Sequence, residues 1–175
     1  MILIAYDGSA DSDAAVDRTA ALMPGSQTTV LTVWRPLARS LEYHGGLAGA
    51  FTYSGPLGRG PQDLDLEAWD RELEQAAHAK AAEGAKRATS AGLQATEQVV
   101  KQQTSVADAI IDAADKAGAT AIVLGSRGLT GARTWLLGSV SHTVLQHAEC
   151  AVIIIPSGQV AAKRADHRRR VTDAG

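Results

Sequence analysis

A glycine- and serine-rich segment near the carboxyl end carries the residues best suited to chemistry. It reads GSRGLTGARTWLLGSVS and runs from Gly125 to Ser141. Gly125 and Gly128 lack a Cβ, so we expect the backbone to adopt positive φ there and to approach a ligand closely. Backbone N–H groups in such a turn can point inward as a nest. The segment therefore predicts a cradle for an anion.

The end of this segment is predicted to begin a helix. Gly138 would precede the helix, so the N–H groups of Ser139, Val140 and Ser141 would lack intrahelical acceptors. The positive end of the helix dipole favours an anion at that place. The hydroxyls of Ser139 and Ser141 would add donors, and Arg127 would screen phosphate charge. Alternatively, the glycines only form turns and Ser139 only caps its helix.

Asp7 is the carboxylate predicted to lie beside this cradle. A carboxylate next to phosphates has to accept from a hydroxyl or share a cation with them. Asp7 therefore suits a ribose hydroxyl, or a Mg²⁺ ion that bridges to phosphate oxygens. The alternative is that Asp7 is the N-terminal cap of the first helix.

Five apolar or β-branched runs alternate with four helical patterns along the chain. The predicted strands are Met1–Tyr6, Thr28–Trp34, Ala95–Lys101, Thr120–Leu124 and Ala151–Ile155. The first predicted helix is capped by Ser9 or Asp11 and ends at Pro24. The other three predicted helices span Asp65–Gly92, Ser105–Gly118 and Ser139–Ala148. This alternation predicts a single-domain α/β fold of Rossmann type, a parallel sheet with helices on both faces.

The predicted strand order 3-2-1-4-5 would bring the candidate residues together. Right-handed crossovers force such a chain to reverse its winding once, and ligands bind at the carboxyl ends of the strands where it reverses. Asp7 follows the first strand, and the run from Gly125 through Ser126 to Gly128 follows the fourth. With the first and fourth strands as neighbours, these residues would face each other across a crevice.

We expect one domain over residues 1–156, interrupted by a loop insertion over residues 37–62 that contains Phe51 and Tyr53. The loop is either a lid over the ligand or a flexible insertion. Residues 157–175 form a basic tail, predicted to be a flexible, solvated end. Contact of this tail with nucleic acid or an anionic surface is the alternative.

Composition narrows the class of protein. The formal net charge of the 175 residues is -2, and the body before the tail offers no basic face, so no specific nucleic acid is expected. Because no signal peptide or stretch of transmembrane length is apparent, we expect a cytoplasmic protein without a membrane partner. Cys150 lies in an apolar run, which favours a small buried hydrophobe over a reactive thiol.

The motifs together resemble the universal stress proteins, in their ATP-binding branch. The resemblance rests on MILIAYDGS, VLTVW, the spacing Gly125-x2-Gly128-x9-Gly138-Ser139 and VSHTVLQHAECAVIIIP, and it covers most of Met1–Pro156. It implies ATP, AMP, ADP or cyclic AMP as ligand, with or without Mg²⁺ bound to the phosphates, and a homodimer through residues 151–155. The implied contacts are Asp7 to ribose, the Val33 backbone to adenine, Gly125, Arg127 and Gly128 to ribose and phosphate, and Gly138, Ser139, Val140 and Ser141 to the polyphosphate.

Three functions stay open at this point: a nucleotide-responsive binding module in stress adaptation, a weak ATP hydrolase, and a ligand-free interaction protein. No GxxxxGK[ST] loop is present, and His142 and His147 suit opposite sides of a helix, so binding is favoured over phosphoryl transfer. Residues 101–104, Lys-Gln-Gln-Thr, depart from the glycine- and proline-containing turn common in the family, so the resemblance does not extend to this rim of the crevice.

Overall fold

The computed structural model describes residues 1–37, 65–126 and 137–156, together with residues 158, 161, 162 and 165. Within them the strands are β1 (Ile2–Ala5), β2 (Gln27–Trp34), β3 (Gln94–Lys101), β4 (Ala121–Gly125) and β5 (Ala151–Ile155). The helices are α1 (Ala10–Leu22), α2 (Leu66–Ser90), α3 (Val106–Lys116) and α4 (Ser139–His147). Arg127, Gly128, Phe51, Tyr53 and nearly all of the predicted insertion and tail lie outside the described residues.

The first three helices begin at polar residues that cap their free N–H groups. The Ser9 hydroxyl accepts from Ser12 N–H, the Asp65 carboxylate from Ala68 N–H, and the Ser105 hydroxyl from Asp108 N–H. Ser9 is therefore the cap of α1. The alternative interpretation of Asp7 as that cap is wrong, because α1 begins further along the chain, at Ala10.

All five strands are parallel, in the order β3-β2-β1-β4-β5, which confirms the predicted fold class and strand order. In the central strand, Ile4 pairs with Val30 of β2 on one side and with Val123 of β4 on the other. The chain thus builds the sheet outward from β1 to β3 and then crosses to the opposite side of β1. This reversal makes the carboxyl ends of β1 and β4 the switch point of the sheet.

Two apolar clusters cover the two faces of the sheet, because side chains along a strand alternate between them. Ile2, Ile4 and Tyr6 of the first strand region pack in one cluster with residues of α1 and α2. Leu3 packs in the other cluster, with residues of α3 and α4. Cys150 is half-buried against this second cluster. Among the described helices, none is long and apolar enough to cross a membrane.

Candidate functional site

Four residues join the end of β4 to the start of α4, and we call them the β4–α4 junction: Gly125, Ser126, Gly138 and Ser141. The Gly138 N–H donates to the Ser126 carbonyl oxygen at 2.9 Å. The Ser141 hydroxyl donates to the Gly125 carbonyl oxygen at 2.8 Å, in a buried setting. The junction therefore holds both ends of the glycine- and serine-rich segment together.

One prediction about this segment is wrong at Ser141. Its hydroxyl hydrogen was expected to serve an anion, whereas it is already donated to Gly125 and the residue is only 4% exposed. Ser139, by contrast, is exposed at the start of α4. What the first turn offers to a ligand is therefore its backbone and the Ser139 side chain.

The first turn of α4 presents N–H groups that nothing in the described part of the chain accepts. Gly138 is the N-cap in an extended conformation, and the first intrahelical bond runs from His142 N–H to Gly138. The N–H groups of Ser139, Val140 and Ser141 find no acceptor among the described residues, as expected of a first turn. The first turns of α1, α2 and α3 contain acidic residues, and that of α4 contains none. The positive end of α4 therefore has no acidic side chain of its own first turn beside it.

Gly125 does not have the positive φ predicted for it. The described glycines with positive φ are Gly8, Gly25, Gly92 and Gly118, whereas Gly125 continues the β4 ladder opposite Ile155. A Cβ on Gly125 would lie 2.7 Å from Asp11 Cβ and 2.8 Å from the Asp11 carbonyl carbon. Glycine is therefore required here because α1 approaches the end of β4 at backbone distance.

Asp11 is the residue that sequence reasoning did not assign to the site. Its carboxylate Oδ2 accepts a hydrogen bond of 2.7 Å from the Ser126 hydroxyl, and both residues are buried. Ser126 also donates its N–H to the Ile155 carbonyl oxygen at 2.8 Å. Ser126, predicted as a site residue, thus joins α1, β5 and the start of α4. No local sequence pattern shows this contact, because it joins distant parts of the chain.

Asp7 stands at the end of β1, on the other wall of the crevice. Its Oδ1 accepts from the Ser9 N–H at 3.0 Å, which fixes the carboxylate against the N-terminus of α1. Gly8 follows with φ of 77° and turns the chain away from the sheet. The stem of Lys80 in α2 covers Gly8, its Cε lying 3.5 Å from where a Gly8 Cβ would be. A half-buried lysine therefore brings a positive charge to this wall.

The backbone of Val33 faces the crevice. Leu31 accepts from Tyr6 N–H across the β1 side of β2, and residues two apart in a strand face the same way. Trp34 accepts from Gln102 N–H on the β3 side. Because β1 ends at Ala5, Val33 has no backbone partner on its β1 side among the described residues. One N–H and one C=O are thus available beside Asp7.

The rim formed by residues 101–104 is held against β2 by side-chain contacts. Arg35 Nε donates to Gln102 Oε1 at 2.9 Å, and Gln102 Nε2 donates to the Thr104 carbonyl oxygen at 3.0 Å. The Lys101 ammonium lies 5.1 Å from the centre of the Trp34 ring. A side-chain network therefore orders this rim, which contains neither glycine nor proline.

The described residues offer no ready-made metal site, since no group of three or more His, Cys, Asp or Glu side chains among them could hold an ion. His142 and His147 are both exposed on α4. Their positions agree with the interpretation of ordinary helix residues.

Comparison with known proteins identifies the family. The model of the universal stress protein family matches residues 54–156, more than half of the chain. The chain belongs to the universal stress protein family. A curated relative, universal stress protein YxiE of Bacillus subtilis, is 38% identical over 78 residues, which are 42% of this chain and 53% of that relative. The match thus spans about half the length of the relative.

Solved structures share the fold of this universal stress protein. The hypothetical protein MJ0577 gives a TM-score of 0.66 at 20% identity, over 89% of this chain and 94% of the other. A universal stress protein in complex with cAMP gives 0.54 at 23% identity, over 90% and 96%. A family member from Arabidopsis thaliana with AMP bound gives 0.55 at 16% identity, over 90% and 91%. These similarities confirm the Rossmann-like α/β architecture and, with the family match, the resemblance seen in the motifs.

Proposed function

We propose that this universal stress protein binds an adenine nucleotide, ATP included, and acts as a nucleotide-responsive module in stress adaptation. The observation that carries the proposal is the first turn of α4, whose N–H groups find no acceptor in the described chain and which contains no acidic side chain. Phosphate oxygens would accept from these groups at the positive end of the helix. Structures of two relatives, one described with cAMP and one with AMP, support the choice of ligand.

The adenine would lie against the end of β2. The N–H and C=O of Val33 face the crevice as one donor and one acceptor. An adenine base presents an acceptor and a donor side by side, at its ring nitrogen and its amino group, so the two edges are complementary. Because these are backbone groups, the recognition would not depend on the identity of the Val33 side chain.

The ribose would lie between adenine and phosphates, at Asp7. The Asp7 carboxylate, held by the Ser9 N–H, would accept from a ribose hydroxyl. A Mg²⁺ ion would have to be held chiefly by the nucleotide phosphates, with Asp7 as the protein carboxylate, because the described residues form no metal cluster. Arg127 and Gly128, outside the described residues, are proposed to complete the phosphate contacts.

A cytoplasmic homodimer belongs to the same proposal. Strand β5 is an edge of the sheet with exposed or half-buried residues throughout, and a second copy would cover it. The free thiol of Cys150 suits a reducing compartment.

The experiment that tests nucleotide binding adds a charge to the first turn of α4. We expect Ser139→Asp to weaken ATP and AMP binding at least about tenfold in calorimetric titration, because its carboxylate occupies the positive helix end and repels phosphate. The same variant should melt no lower than the unmodified protein, since an acidic residue stabilises a helix N-terminus.

Ser139→Asn is the matched control, with the same size and no charge, and should bind within about threefold of the unmodified chain. Equal affinities for the Asp and Asn variants would contradict the proposed phosphate position. A phosphate-release assay with the unmodified protein and Asp7→Ala separates binding from hydrolysis. If the unmodified protein releases phosphate and Asp7→Ala does not, the protein is an ATP hydrolase and the proposal of a binding module is wrong.

A further inference from the structure

Asp11 is a buried carboxylate that neither caps its helix nor forms a described ion pair. It lies in the first turn of α1, is 6% exposed, and accepts from the Ser126 hydroxyl at 2.7 Å. Ser126 is fully buried. A buried carboxylate is costly unless it is hydrogen-bonded, and the Ser126 hydroxyl and the helix N-terminus supply that compensation.

The missing side chain of Gly125 makes this contact possible. The backbone carbonyl carbon of Asp11 and the N atom of Ser12 lie 2.8 and 3.0 Å from where a Gly125 Cβ would be. The first turn of α1 therefore rests directly on the backbone at the end of β4. From that position the Asp11 carboxylate reaches the next residue of the chain, Ser126.

Ser126 also contacts the start of α4, where the phosphates are proposed to bind. Its carbonyl oxygen accepts from Gly138 N–H, the residue that begins α4, and the adjacent Gly125 carbonyl accepts from the Ser141 hydroxyl. On the other side, α1 holds the Asp7 carboxylate through the N–H of Ser9. The start of α1 thus connects the two walls of the crevice through hydrogen bonds at both sides, and Asp11 forms the one to the end of β4.

We infer that Asp11 is a positioning residue for the nucleotide: through Ser126 it fixes the N–H groups of α4 relative to Asp7 before the ligand arrives. The inference rests on the proposed function. Its physical basis is preorganisation, because donors that are already fixed lose little conformational freedom when they bind phosphate. Without Asp11 the hydroxyl of the fully buried Ser126 would lose its acceptor, and the β4–α4 junction would shift to find another.

The test is a double-mutant cycle on nucleotide affinity. Asp11→Ala and Ser126→Ala should each weaken ATP binding about tenfold, the scale of one hydrogen bond to a charged group. The double variant should bind no more weakly than either single one, because both changes remove the same interaction. Asp11→Asn should restore affinity to within about threefold, since its amide oxygen can accept from Ser126.

Asp13→Ala is the control for lost stability. Asp13 lies in the same first turn and accepts a hydrogen bond of 2.8 Å from Tyr6, outside the crevice, so this variant should melt lower and bind ATP normally. Should Asp11→Ala fail to fold, Ser126→Ala tests the same bond from its other end. Unchanged affinity in the folded Ala variants, additive losses, or an equal loss in Asp13→Ala would overturn the inference alone. An unmodified chain that binds no adenine nucleotide would overturn the proposed function and the inference with it.

Discussion

At Gly125 the backbone of α1 comes so close to the end of β4 that a side chain has no room. The nearest atoms belong to the Asp11 backbone and Cβ, which are parts of a helix and not the flexible end of a side chain. A change of side-chain rotamer therefore cannot relieve the clash with a Cβ at Gly125, and the helix or the strand would have to move.

We expect Gly125→Ala to lower the free energy of unfolding by about 1–3 kcal/mol, the usual cost of overpacking. Chemical denaturation of the purified variant measures this difference. Gly158→Ala is the matched control, because a Cβ at Gly158 meets nothing within 4 Å and the stability should not change. Equal stability of both variants would contradict the close α1–β4 contact.

Tyr6 shows how a buried polar group is satisfied between α1 and α2. Its hydroxyl donates to Asp13 Oδ1 at 2.8 Å, and Asp13 in turn lies 3.6 Å from an Arg87 guanidinium nitrogen. Burial is the main cause that raises the pKa of Tyr6 above 10.0, and the hydrogen bond to Asp13 adds to it. The neutral hydroxyl is therefore the form that the fold stabilises.

The raised pKa of Tyr6 predicts an alkaline loss of stability. Above pH 10 the unfolded chain releases the Tyr6 proton while the folded chain retains it, so the unfolded state gains and stability falls as pH rises. The stabilisation is fully present below that pH. Urea titrations between pH 8 and 11 should show the unmodified protein losing stability faster above pH 10 than Tyr6→Phe, by up to about 1.4 kcal/mol per pH unit. Parallel curves for the two proteins would contradict a raised pKa.

Among the elements, β5 forms one edge of the sheet and β3 forms the other. Ile155 accepts from Ser126 N–H, so Ile155 and residues two apart from it face β4, while Val152 and Ile154 direct their backbone groups away from the sheet. A second copy that pairs with this edge would use those outward groups.

Val152→Pro removes one outward N–H and leaves the bonds to β4 in place, a substitution that edge strands accept. We expect the variant to sediment as a monomer in analytical ultracentrifugation where the unmodified protein sediments as a dimer. It should melt somewhat lower, because the Val152 side chain packs against the second apolar cluster. Ile153→Pro, which would break the ladder to β4, should lower stability further. A dimer that survives Val152→Pro would place the interface elsewhere.

The elements and their order were predictable because they depend on local patterns. Apolar runs and caps such as Ser9 and Ser105 indicated strands and helices. The crossover rule required one reversal of winding, which the predicted strand order contains. The contacts that build the site were not predictable in the same way. Asp11 and Ser126 are separated by 115 positions, and their hydrogen bond follows from how tightly α1 rests on β4. The sequence alone predicts a turn at Gly125, whereas in the structure Gly125 allows α1 to pack closely against β4.

Across the whole molecule, the two apolar clusters and the single reversal of winding leave the carboxyl ends of the strands as the place for a ligand. Helices α1 and α2 cover one face and α3 and α4 the other, so the strand ends form the open side of the sheet. At that side Asp7 ends β1, Val33 extends past it, and Ser126 leads from β4 toward α4. The proposed adenine nucleotide would reach from Val33 past Asp7 to the first turn of α4, with its anionic end at that turn.

Amide chemical shifts on titration with ATP test the central claim most directly. In ¹⁵N-labelled protein, the N–H signals of Ser139, Val140, Ser141 and Val33 should shift saturably and together, because phosphate and adenine would accept from them. The N–H signal of Gly118, which lies after α3 at the amino ends of the strands, should not shift. Unmoved signals at the start of α4 in the presence of excess ATP would contradict the account.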